Sequence, residues 1–75
     1  MLEIVKINEI EPDHIGNRRF VVTFYLNGIE RTLTFLCNKD KAILHKTNEV
    51  KELALSTNKF AQLKEAVKNF IKNNN

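Results

Sequence analysis

The sequence predicts an α+β domain, a three-stranded antiparallel β-meander packed on a C-terminal amphipathic helix, with a short helix or extra strand between residues 38 and 56. Three observations carry that expectation. An Asn27-Gly28 pair sits between two alternating runs, a third alternating run precedes them, and the last twenty residues repeat apolar side chains at helical spacing. Asn-Gly accepts the positive φ angles of the two-residue turn whose twist matches a hairpin.

That turn sets the register of its flanks. Leu26 should face Ile29, Phe24 face Arg31, Val22 face Leu33 and Phe20 face Phe35, all on one side of the sheet because side chains alternate. Tyr25/Glu30, Thr23/Thr32 and Val21/Thr34 then share the other side. Cys37 falls on the first side as a small core residue.

Upstream, residues 2–11 read as a strand that ends at Pro12, and residues 12–17 have turn chemistry. The register that places Val5 near Phe24 and Ile7 near Val22 turns Leu2, Ile4 and Ile10 to the second face. They join Val21, Tyr25 and Leu36 there. Such a face is more apolar than a solvated one should be.

Downstream, Phe60, Leu63, Val67, Phe70 and Ile71 span about 100° of a helical wheel, one core-facing stripe. Ser56 or Thr57 serves as the N-cap. Between the hairpin and this helix, Asn38 is placed to cap a short helix over residues 39–45. Val50, Leu53 and Leu55 suit a short strand or a helical turn.

Seventy-five residues suggest one domain, and one cysteine excludes an internal disulfide. No apolar run approaches the length of a membrane span, and the alternating, charged N-terminus is unlike a signal peptide, so a cytoplasmic setting is expected. Lysine, asparagine and isoleucine dominate over arginine, which points to an AT-rich genome: a low-GC bacterium, a phage or another mobile element. Residues 1–37 carry four basic against five acidic side chains, and residues 38–75 carry eight lysines against four acidic side chains, so the net charge of +3 lies in the second half.

Catalytic chemistry has little to stand on. Cys37, His14 and His45 lack the paired spacing of a zinc site. Glu9, Glu11 and Asp13 alternate at a strand end, where a solvated cluster with Glu11 beside Arg18 is the simpler reading than a cation site. With glycine only at positions 16 and 28 there is no phosphate loop, and no serine, histidine and acid form a triad. The sequence therefore predicts a non-enzyme with no metal, no cofactor and no evident small-molecule substrate.

Two binding functions follow. The first is an interaction domain for a protein partner or a second copy of itself, using Ile4, Ile10, Val21, Tyr25 and Leu36, the mix of apolar and aromatic residues that interface cores contain. The alternative is a nucleic-acid binder. Lys64, Lys68 and Lys72 follow one another along one flank of the last helix and, with Arg18 and Arg19, suit phosphate contacts.

Overall fold

The computed structural model describes residues 1–45 and 51–73. At its centre is the expected hairpin. Strand β2 (Arg18–Leu26) and strand β3 (Ile29–Cys37) pair antiparallel with Leu26 opposite Ile29, Val22 opposite Leu33 and Phe20 opposite Phe35. Asn27 and Gly28 both take positive φ, 53° and 82°, as the two-residue turn requires.

Strand β1 (Leu2–Ile10) runs antiparallel on the free side of β2, and strand β4 (Ile43–His45) adds to β3, giving the order β1-β2-β3-β4. The meander is thus extended by one short strand, the extra-strand version of what residues 38–56 were expected to form. The helix expected over 39–45 does not form. Asn38 instead folds a tight loop, its Oδ1 accepting from the backbone N–H of Asp40 and of Ala42, both at 2.9 Å. An asparagine that satisfies two loop donors in this way competes directly with a helix start. Ile43, opposite Cys37, is buried by joining the sheet. Val50 lies outside the described residues.

The first strand departs from simple alternation. Residues 6–10 pair as the sequence suggests, with Ile7 opposite Val22 and Glu9 opposite Phe20. Between Ile4 and Lys6 the register slips by one, leaving Val5 as an extra residue. Such a bulge inverts the faces of everything beyond it. Leu2 and Ile4 consequently sit opposite Leu26 and Phe24, on the same face as Ile7, rather than on the second face. Leu2 packs against the core, and Val5 is half exposed rather than near Phe24 in the core.

Helix α1 (Thr57–Asn73) covers the face that holds Phe20, Val22, Phe24, Leu33 and Phe35, all fully buried. Ser56 caps it, its Oγ accepting from Lys59 N at 3.2 Å. The helix lies obliquely across the strands. Near its start Phe60 meets Phe35 (5.7 Å between ring centroids) and His45 (4.7 Å), and near its end Phe70 meets Phe20 edge-on at 6.0 Å. Between them Leu63 and Val67 are fully buried. At about 25 cal/mol per Å² of apolar surface removed from water, these interlocked aromatics and aliphatics dominate the stabilising side of folding. Leu53 and Leu55 pack on the same core, and Glu52 and Leu53 also border a recess with Glu30, Arg31 and Thr32 of β3.

Candidate functional site

Two regions combine chemistry with exposure. One is the second sheet face, built row by row from the registers. Glu3, Tyr25 and Glu30 form the first row; Lys6, Thr23 and Thr32 the second; Asn8, Val21 and Thr34 the third; Ile10, Arg19, Leu36 and Leu44 the fourth. Apolar side chains therefore gather at one end of the face. Leu44 (41% exposed) and the half-buried Leu36 and Val21 are neighbours there, Ile10 (39%) lies on β1 with Arg19 between it and Leu36, and Tyr25 (39%) lies toward the acidic end. Four of the five residues expected on this face are on it; Ile4 is on the helix side, because the bulge at Val5 reverses its direction. Leu44 is the residue that the sequence reading missed, since it belongs to the short strand that was open between helix and strand. Helix α1 packs on the opposite side of the sheet, and Thr23 in the second row is buried.

The second region is a cleft of about 540 Å³ where the start of β2, the end of β3, the loop before β4 and the end of α1 meet. Arg18, Lys39, Lys41, Lys68 and Lys72 line it, with Cys37, Ile43 and Ile71 as apolar wall and Gly16 and Asn38 at the rim. Of the residues expected to meet phosphates, Arg18, Lys68 and Lys72 come together here. Lys64 is not part of the lining, and Arg19 belongs to the opposite face, where its Nε donates to the carbonyl oxygen of Glu11 at 2.6 Å. Lys39 and Lys41 were not foreseen. They come from the loop that the helix expectation had hidden.

The acidic residues around the first turn are accounted for by local structure. Arg18 donates from Nε and Nη2 to the two carboxylate oxygens of Glu9, each at 2.8 Å, so Glu9 and not Glu11 is its partner. β1 ends at Ile10, and Glu9, one pair along on the same face, lies diagonally across from Arg18. The bond from Arg18 holds the Glu9 carboxyl below its ordinary value, against a smaller opposing effect of desolvation. Asp13 is used by its own turn, accepting from Ile15 N, Asn17 N and Asn17 Nδ2 at 3.1, 2.8 and 3.1 Å. Desolvation is the largest single influence on Asp13 and acts upward, but the bonds from Asn17 and Ile15 together outweigh it and leave the carboxyl below its ordinary value. Among the described residues no group of three histidine, cysteine or acidic side chains is placed to hold a metal. Cys37 is buried on the helix side, as its register position implies, and His45 stands edge-on to Phe60 in β4 rather than at a helix end.

No described helix is long and apolar enough to cross a membrane. Comparison with known proteins adds no relative: no family model, no curated protein and no solved structure matches this chain. Among the described residues the class is a four-stranded antiparallel sheet covered by the C-terminal helix, and function has to be argued from the two surfaces themselves.

Proposed function

We propose that this is a non-catalytic interaction domain whose second sheet face docks a protein surface, with a second copy of the chain as the first partner to test. The observation that carries the reading is the apolar group Ile10, Val21, Leu36 and Leu44 with Tyr25 on the face opposite the helix. Charge complementarity favours a second copy. Glu3 and Glu30 mark one end of the face and Arg19 the other, so a two-fold arrangement sets the acidic end of each copy against the basic end of its mate. Sheets stacked this way sit about 10 Å apart, with the apolar rows between them.

Size sets the strength. Three strands spaced about 4.8 Å over roughly seven residues of about 3.3 Å, with the short β4 added, offer on the order of 400 Å² of face per copy. Two such faces come to about 800 Å² in total, below the range of stable specific interfaces, which implies a weak, reversible dimer rather than a permanent one. The setting that suits the composition is the cytoplasm of a bacterium, with a phage or mobile element as the source.

Light scattering coupled to size exclusion over a concentration series, at low and high salt, tests the reading. A dimer that persists in salt and is lost in Leu36→Lys and Tyr25→Ala supports it. A monomer at every concentration, with no binding partner sensitive to those two changes, overturns it. The nucleic-acid alternative is narrowed to Arg18, Lys68 and Lys72. It expects binding that weakens steeply with salt and with Lys68→Glu while ignoring Tyr25→Ala.

A further inference from the structure

The cleft at the end of α1 has a composition that neither the sheet face nor the fold requires. Lys39 and Lys41 from the loop and Lys68 and Lys72 from the helix line one concavity, and among the described residues no carboxylate lines it, although Asp40 stands between the two loop lysines in sequence. Arg18 also lines the cleft, but Glu9 already neutralises it. The four lysines concentrate more positive charge on this space than the whole chain carries as its net +3. Like charges gathered on one surface repel one another, and an anion bound between them relieves that repulsion.

The wall between the lysines is apolar. Ile43 is buried at the foot of the cleft, and Ile71 is half-buried on the helix side. A space of this volume with an apolar wall and a few convergent charged groups has the proportions of a small-ligand site rather than of a track for a polymer. No aromatic ring lines it, so the base stacking on which single-stranded nucleic-acid binders rely has no platform. Lys41 adds a second observation. Its φ is 65°, a left-handed backbone that glycine or asparagine adopts more readily than lysine. The tight turn from Asn38 to Ala42 holds it there and so fixes Lys41 together with Lys39 at the cleft.

We propose that this cleft binds a small phosphorylated molecule with an apolar body: a phosphate dianion among Lys39, Lys41, Lys68 and Lys72, and the body against Ile43 and Ile71. A dianion answers the charge of four lysines lining one space better than a monoanion does, and lysine binds phosphate as a point charge that needs no fixed fork geometry. The site lies on the helix side of the sheet, so it is independent of the interaction face and its test does not depend on dimer formation.

The experiment is a titration of the full chain followed by amide NMR shifts, with naphthyl phosphate as the probe and inorganic phosphate and naphthol as the two separated halves. The expected result is saturable shifts at Gly16, Lys41, Ile43 and Ile71, with each half alone binding at least about tenfold more weakly. Lys41→Glu combined with Lys68→Glu should abolish the shifts while the spectrum elsewhere stays folded. Lys64→Glu, outside the cleft, should leave them unchanged. Equal binding of naphthyl phosphate and inorganic phosphate would remove the apolar body from the assignment and overturn it. So would the absence of saturable shifts, or tighter binding of an oligonucleotide that is weakened as much by Lys64→Glu as by the cleft pair, which would mark an extended polyanion surface.

Discussion

Arg18 holds Glu9 through two parallel hydrogen bonds of 2.8 Å while its guanidinium carbon rests 5.1 Å from the centre of the Phe20 ring. One arginine thereby ties the end of β1 to the start of β2 and covers the edge of the core. The side chains of both ion-pair partners are 37% exposed, so solvent screens much of the attraction, and about 0.5 kcal/mol is a fair expectation for the pair.

The pH dependence has a definite sign. The Glu9 carboxyl is held below its ordinary value in the folded chain, so its contribution is fully present above the unfolded value near pH 4. It is lost as pH falls through the folded value. Glu9→Gln should lower stability at pH 7 by about 0.5 kcal/mol and make no difference at about pH 2. Urea midpoints of the two proteins at both pH values measure this; an equal gap at both would mean that the charge on Glu9 does not matter.

Gly28 gives a cleaner backbone test. Its φ is 82°, and a Cβ built there meets nothing within 4 Å, so Gly28→Ala perturbs only the backbone preference. A loss of about 1–2 kcal/mol is expected from placing alanine in the left-handed region. Gly28→Asn should lose less, because asparagine tolerates that region better. Denaturant titration of the two variants gives the ordering.

The bulge at Val5 makes an unusual prediction. Removing Val5 leaves Leu-Glu-Ile-Lys-Ile-Asn-Glu-Ile, in which Leu2, Ile4 and Ile7 alternate with Glu3, Lys6 and Asn8. Leu2, Ile4 and Ile7 would then face the helix without any slip in register. The deletion should therefore fold and stay within about 1 kcal/mol of the parent, whereas deleting Asn8 should be far worse because it reverses the faces of the strand. Thermal unfolding of the two deletions separates them.

Leu63 and Lys64 are neighbours in sequence with opposite roles. Leu63 is fully buried against the sheet, and Leu63→Ala should cost about 2–5 kcal/mol. That is a large share of the roughly 4–11 kcal/mol available to a chain of this length. Lys64→Ala should change stability by no more than about 0.5 kcal/mol. Chemical denaturation measures both, and a near-neutral Leu63→Ala would contradict the packing of α1 on the sheet.

Where local chemistry and tertiary packing agree, the sequence is legible. Asn27-Gly28 admits a narrow range of turn geometries, and every pair of the hairpin follows from it. The stripe from Phe60 to Ile71 has one apolar side, and that side meets the sheet. The phase of β1 was harder to read, although a trace was present: Leu2 and Ile4 keep one parity and Ile7 the other, so the alternation changes step at Val5. A change of step between apolar residues in one strand is what a bulge looks like in sequence. Residues 38–45 were least legible because Asn38 suits both a helix cap and a loop, and only the burial of Ile43 beside Cys37 decides between them. The cationic cleft was hidden for the same reason. Lys39 and Lys41 had no reason to meet Lys68 and Lys72 until the loop was placed.

The bulge at Val5 also bears on how this protein behaves when crowded. Among the described residues β1 is an edge strand of nine residues, a length that invites another chain to add itself as a further strand. An extra residue in mid-strand breaks the regular spacing of backbone donors and acceptors and twists the edge, so an incoming strand finds a matching ladder over only half its length. Fibrillar growth from that edge is correspondingly discouraged, and the protein should stay dispersed at concentrations where a straight nine-residue edge would seed aggregates.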